Sequence, residues 1–245
     1  MRRYRLWVLG ALLAGCGAES GDVATIQNVV APDASCAFQS TATTYIPMGW
    51  YDPQGQGRFA VYVQIINNMK PPTSDAAVLQ GTPGREVRTQ SNDIMVDGFD
   101  ICWFDTTDVT FGTTPPDCAT LPAAQRRFAP SSGLVPQSGN KLVAHFDALY
   151  FADLSAIGFT PAVMGTGGSV TIRTQMVGRT PDGRQVRSAW FNYPVNVCAG
   201  CVLEYCRAKF PGVPDTCLSI AGCMPYQLWG TGPTCTQITA TPTCP

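Results

Sequence analysis

The chain has 245 residues, 16 basic and 17 acidic, with a formal charge of −1 and only 13% charged residues. Past residue 5, no Lys/Arg cluster is larger than the pair Arg126-Arg127, so the basic patch that a phosphate backbone requires is missing and nucleic-acid binding drops out. The 24 glycines and 20 prolines cut the sequence into short segments, which favours strands and turns over long helices.

At the front, Arg2, Arg3 and Arg5 precede an apolar run over residues 6–13, and Leu13-Ala14-Gly15-Cys16 completes it. That run is too short for a bilayer core, which takes about 20 apolar residues, so positive charge, a short apolar stretch and small residues make a secretory signal. The last four residues resemble the lipobox of bacterial lipoproteins. The resemblance covers residues 1–16 only. It implies that residues 1–15 are a signal peptide and that Cys16 is diacylated on sulfur, becomes the first residue after cleavage and is then acylated on nitrogen. Gly17 stands where inner-membrane lipoproteins carry aspartate, so the resemblance leans to the outer membrane of a bacterial envelope. With the three arginines gone, 13 basic residues face 17 acidic ones, a formal charge of −4.

Residues 16–34 are small and polar around one apolar stretch, Ile26 to Val30. They are read as a lipidated flexible tether, which at about 3.3 Å per residue reaches on the order of 50 Å. A β domain is expected over 35–197. Residues 58–67 place Phe59, Val61, Val63 and Ile65 on one face and Arg58, Ala60, Tyr62 and Gln64 on the other, the period of a half-buried strand. Over 93–104 the apolar parity changes: Ile94 and Val96 share one, Phe99, Ile101 and Trp103 the other, with Asp97-Gly98 between them. An inserted residue that returns both halves to the same core is a β-bulge, and an Asp-Gly hairpin turn is the second choice.

Residues 141–151 are apolar on both faces and fit a covered strand or a short helix equally. Over 169–177, Val170, Ile172 and Met176 point inward; Thr180-Pro181-Asp182-Gly183 then supplies a turn. The partner strand over 185–197 carries Phe191, Tyr193, Val195 and Val197 on the core parity and Trp190 on the other, and Pro194 predicts an edge or a bulge. Short strands at this spacing predict an all-β fold, an antiparallel sandwich resembling immunoglobulin-like or fibronectin-like domains in architecture only. From residue 198 onward cysteines crowd and alternation fades, so 198–245 is read as a disulfide-stapled appendage with a short helix over 202–209.

Besides Cys16 there are ten cysteines: Cys36, Cys102, Cys118, Cys198, Cys201, Cys206, Cys217, Cys223, Cys235 and Cys244. An even set in an exported chain predicts a disulfide framework. Cys102 and Cys118 are expected to pair across a turn-rich segment. Since three of the ten precede residue 198 and seven follow, full oxidation requires at least one bridge between the β domain and the tail, and Cys36 is the expected bridging residue. A zinc site at Cys198-x-x-Cys201 lacks a second pair or histidines, because the chain's one histidine is His145.

Catalytic chemistry has little footing. His145 and Asp147 share a face, but no Gly-x-Ser-x-Gly elbow accompanies them, and a histidine in an apolar strand reads as a core residue. Asp93, Asp97, Asp100, Asp105 and Asp108 offer oxygen ligands for calcium without EF-hand spacing, and otherwise solvate strand ends. The aromatic pairs Trp50-Tyr51, Trp103-Phe104 and Trp190-Phe191 each send one ring outward. Trp190, near Arg187, Ser188 and Asn192, is the candidate for stacking on a glycan. The sequence therefore reads as a lipid-anchored envelope lipoprotein that acts without catalysis or cofactor as an envelope or surface interaction module, its partner, a protein or a glycan, left unnamed by the sequence. A glycan-binding module is the alternative, and a secreted hydrolase the further one.

Overall fold

In the computed structural model the described residues are 23–33, 35–54, 57–70, 92–106, 114–159, 168–200 and 208, with the backbone of 218–221, 227–229 and 234–237. They form, in order, β1 (Ala24–Val29), β2 (Gly49–Tyr51), β3 (Arg58–Asn67), β4 (Ile94–Asp105), β5 (Arg126–Val135), β6 (Lys141–Tyr150), α1 (Phe151–Ala156), β7 (Gly168–Arg179), β8 (Gln185–Arg187), β9 (Phe191–Val197), β10 (Leu218–Ala221), β11 (Gln227–Trp229) and β12 (Thr234–Gln237). The fold class is all-β. The smaller main sheet has the order β1-β3-β6; the larger runs β11-β2-β9-β7-β4-β5, with β8 also paired to β7; β10 and β12 pair separately.

Alternation builds the core. Phe59, Val61, Val63 and Ile65 of β3 are each at most 1% exposed. They share one apolar cluster with Phe99, Ile101 and Trp103 of β4 and with Val170, Ile172 and Met176 of β7. Both main sheets thus feed one core, and Phe99 meets Phe146 of β6 with ring centroids 4.3 Å apart. The parity change in β4 is a bulge: its register with β5 and with β7 shifts between Val96 and Gly98. A Cβ at Gly98 would lie 2.5 Å from the Ala129 carbonyl oxygen, so glycine admits the close approach of β5.

Several expectations are corrected. The tether over 16–34 does not hold beyond Val23, because β1 pairs with β3 from Ala24↔Asn67 to Val29↔Val63 and buries Ala24, Ile26, Val29 and Val30. Its apolar residues find a place in the core that composition could not reveal. Residues 141–151 resolve into β6 followed by α1, whose start is fixed by the Tyr150 N–H donating to the Asp153 carboxylate at 2.7 Å. The partner of β7 divides in two. Around Ser188 the hydroxyl accepts from Met176 N at 2.9 Å, so a side chain takes over part of the strand pairing.

The larger sheet is also not purely antiparallel, since β2 lies parallel to β9 from Gly49↔Val195 to Tyr51↔Val197. Pro194 lies opposite Thr171 of β7 with no bulge, just before the pairing with β2 begins, so β9 has a strand on one side there and is interior beyond it. Residues 198–245 are not wholly an appendage, because β11 adds to the larger sheet beside β2. The expected helix over 202–209 lies outside the described residues apart from 208, as do Cys16, Cys201, Cys206, Cys217, Cys223 and Cys244; Cys235 falls in β12, described by its backbone alone.

Candidate functional site

On the larger sheet, the face turned away from the core carries the register neighbours Arg126, Cys102 and Arg173, followed by Phe128, Asp100 and Gln175. Cys102 and Cys118 are joined by a disulfide with their Cα atoms 5.6 Å apart. This bond draws residues 114–121 across the face, where Phe104 and Cys118 become buried and Leu121 and Trp190 pack against them. Arg173 fastens the crossing from below: its Nη1 donates to the carbonyls of Pro115 at 3.1 Å and Pro116 at 2.8 Å. Its guanidinium carbon lies 5.2 Å from the centre of the Trp190 ring. Asp117 accepts from Ala119 N at 3.0 Å and so closes the short 3-10 turn Cys118–Thr120.

Between this stapled segment and residues 187–190 lies an open cleft of about 370 Å³, lined among others by Asp100, Ile101, Arg126, Arg187 and Trp190. Arg187 pairs with Asp100 and also donates to Gln175 Oε1 at 3.2 Å. Arg126 donates to the Ala119 carbonyl at 3.0 Å. A guanidinium has five N–H donors, so Arg126 can serve more than one acceptor at the cleft. The lining thus combines an aromatic wall with forked donors and a carboxylate acceptor. Such a surface is equipped to stack against an apolar ring face and to hydrogen-bond the polar groups at its edge.

Trp190 is partly buried, one side under the stapled segment and the rest lining the cleft. Of its expected polar neighbours, Arg187 and Asn192 are exposed, but Ser188 is buried and its hydroxyl is held by Met176 N and the Ala189 carbonyl. The other outward rings differ: Phe104 is 2% exposed under residues 114–121, and Trp50 lines a second cleft with Ser169 and Asn196 on the same face of the sheet. Sequence reasoning passed over Asp100, Arg126 and Arg187 as a group. The available signal was the Cys102–Cys118 spacing, which returns residues 114–121 to the strand bearing Asp100.

His145, expected in the core, is exposed on the outer face of the smaller sheet, where it lies 5.4 Å from Tyr62, ring centre to ring centre. Phe38 stacks on Tyr62 at 3.4 Å, so residues from the 31–45 segment cover β3 but leave β6 open there. Asp147, on the same face, is bound by Arg58 at 3.1 Å and by the Tyr150 hydroxyl at 3.2 Å. The acidic run is dispersed along β4. Asp93 accepts from Gln137 N, Asp97 pairs with Arg179 and Asp100 with Arg187, while Asp108 lies outside the described residues.

Cys36 and Cys198 are both disulfide-bonded. Cys36 takes a left-handed backbone, φ 64°, inside a turn centred on Asp33, whose carboxylate accepts from the Ser35 hydroxyl at 2.7 Å and from Ala37 N at 3.0 Å. The Ser35 hydroxyl first, and then the Ala37 amide, hold the Asp33 carboxyl down to about 2. No family model matches the chain, and neither does any curated protein.

Proposed function

We propose that the chain is a lipid-anchored lipoprotein of a bacterial envelope whose β domain is a non-catalytic interaction module. The observation that carries this reading is Leu13-Ala14-Gly15-Cys16 behind three arginines and a short apolar run. Three acyl chains on Cys16 exceed the roughly two membrane signals that stable anchoring takes. Architecture is part of the proposal: two sheets that share a single core support a sandwich of the immunoglobulin-like kind, with mixed rather than purely antiparallel pairing. The cleft on the outer face of the larger sheet is the proposed interaction surface. Its rim is rigid because a disulfide and Arg173 hold it.

The deciding experiment is acyl labelling with membrane fractionation. Wild-type protein should incorporate labelled palmitate and remain in the membrane pellet through a carbonate wash, and Cys16→Ser should do neither. Retention of Cys16→Ser without loss of label would defeat the reading.

A second reading, glycan binding, is favoured by the position of Trp190 in the cleft beside Arg187 and Asn192. It demands a ring that water reaches. In a variant retaining only Trp190, acrylamide should quench the fluorescence, and a soluble glycan that binds should relieve that quenching. Complete protection from acrylamide in the unliganded protein would count against glycan binding at this site.

A further inference from the structure

We infer that the end of the β domain bearing Lys70 and Lys141 lies against anionic headgroups of the membrane that holds Cys16, so that the Trp190 cleft points away from the bilayer. This orientation rests on the lipid anchor proposed above. Its other premises are chain length, topology and charge.

Eight Cα-to-Cα steps separate Cys16 from Ala24, where β1 begins, a reach of at most ~28 Å. β1 enters the fold at one end of the molecule. Ala24 is paired with Asn67, and Asn68 N donates to the Val23 carbonyl at 2.9 Å. Asn67 gathers the rest of that end: its amide donates to the carbonyls of Asn92 at 2.7 Å and Val135 at 3.1 Å, and its own N–H meets the Asn140 carbonyl at 3.3 Å. The starts of β1, β4 and β6 and the ends of β3 and β5 therefore share one rim.

From this rim β4 runs for twelve residues, about 37 Å at the usual strand rise. The far end carries Tyr150, α1 and the start of β3. For that end to meet the bilayer, Ala24 would have to stand farther off than the linker reaches. The cleft begins at Asp100, roughly 20 Å along β4 from the anchored rim. An anchor at this rim therefore displays the cleft on the outward half of the molecule.

Charge separates an upright domain from one lying on its side. The chain has three lysines, and two of them, Lys70 and Lys141, are exposed at the anchored rim. Among the described residues the acids of this rim are engaged: Asp93 accepts from Gln137 N, Asp97 pairs with Arg179 and Asp182 bonds Thr180 within its own turn. Two exposed lysines, of which Lys141 also donates from Nζ to Gln64 Oε1 at 3.3 Å, on a rim otherwise rich in Asn and Gln amides suit a hydrated, phosphate-bearing surface.

The test is residue-resolved acylation of the lipidated full mature chain in vesicles of phosphatidylcholine and phosphatidylglycerol, whose headgroups carry no primary amine to consume the reagent. The reference is the unacylated Cys16→Ser chain, exported by an ordinary secretory signal and kept free of vesicles. A lysine-reactive ester should modify Lys70 and Lys141 at least fivefold more slowly in vesicles, while phenylglyoxal modifies Arg126 equally in both forms. The orientation is overturned if Cys16 carries acyl chains by mass and the two lysines react alike in both forms, or if Arg126 is the protected residue. If the Cys16 peptide carries no acyl chain, the anchor reading fails first and this inference with it.

Discussion

Asn67 is the residue on which the end of the β domain bearing Lys70 and Lys141 depends. It is fully buried, its side chain donates to the carbonyls of Asn92 and Val135, and its Oδ1 accepts from Met69 N at 3.0 Å. Removing it leaves three backbone groups without their partner, and buried unsatisfied groups cost about 1–3 kcal/mol each before water relieves them. Asn67→Ala should therefore lower stability by about 2–4 kcal/mol, read as a fall in urea midpoint at unchanged slope. A change below about 0.5 kcal/mol would show that the network is replaceable. The Asp33 turn makes a pH prediction of the opposite visibility, local rather than global. Its carboxyl is depressed from 3.8 to about 2, so the turn gains from ionisation above the ordinary carboxylate value and loses that gain as pH falls through about 2. Carboxyl NMR titration should place the Asp33 midpoint near 2; a midpoint near 4 would mean that the Ser35 and Ala37 bonds are absent in solution.

At the scale of the element, the stapled segment 114–121 is a cover held by one covalent bond and one arginine. Cys102 and Cys118 enclose a loop of 15 residues, for which the chain-entropy model gives about 3 kcal/mol. The double variant Cys102→Ser, Cys118→Ser should lose about that much stability and also raise acrylamide quenching of Trp190, because Leu121 and Trp190 pack on the disulfide cluster. Lost stability with unchanged quenching would separate the bond from the cleft wall. β1 gives a second element-level prediction. Removing residues 17–22 should leave the fold intact, whereas removal through Val30 takes away Ile26, Val29 and Val30, each at most 5% exposed. At about 1.5–3 kcal/mol per buried side chain, the loss is comparable with the whole stability of a domain. The longer deletion should be recovered unfolded or proteolysed, and a folded product by circular dichroism would refute the role given to β1.

For the whole molecule, cysteine pairing links the β domain to the C-terminal region. Cys36 is disulfide-bonded, and Cys102 with Cys118 forms a closed pair. By elimination the partner of Cys36 is Cys16 or one of the cysteines from Cys198 onward. Acylation of Cys16 would leave only the second choice. With Cys16 acylated, alkylation of the chain without reductant should thus find five disulfides, with Cys36 joined to a C-terminal cysteine by peptide mapping. Several alkylated thiols would break the framework. The entry of β11 into the larger sheet beside β2 agrees with a C-terminal region that belongs to the fold, and Cys36→Ser should loosen that region more than it loosens β3 or β4 in hydrogen exchange.

The local pattern was sufficient where a residue's surroundings lie within its own strand. The alternation of β3, the bulge at Asp97-Gly98, the Thr180–Gly183 turn and the pairing of Cys102 with Cys118 were all legible, because side-chain parity and loop closure are short-range constraints. What lay beyond that reach came from long-range pairing. A five-residue apolar stretch cannot tell tether from strand until β3 offers it an edge, and the parallel pairing of β2 with β9 joins residues more than 140 positions apart. His145 reads as core or surface according to whether another segment covers β6. Asp100, Arg126, Arg187 and Trp190 become one cleft only when the disulfide and Arg173 draw residues 114–121 over the sheet. By itself the sequence determined class and alternation, which are properties of neighbours along the chain; edges, covers and the cleft were decided by tertiary structure, because they depend on which distant segment competes for each face.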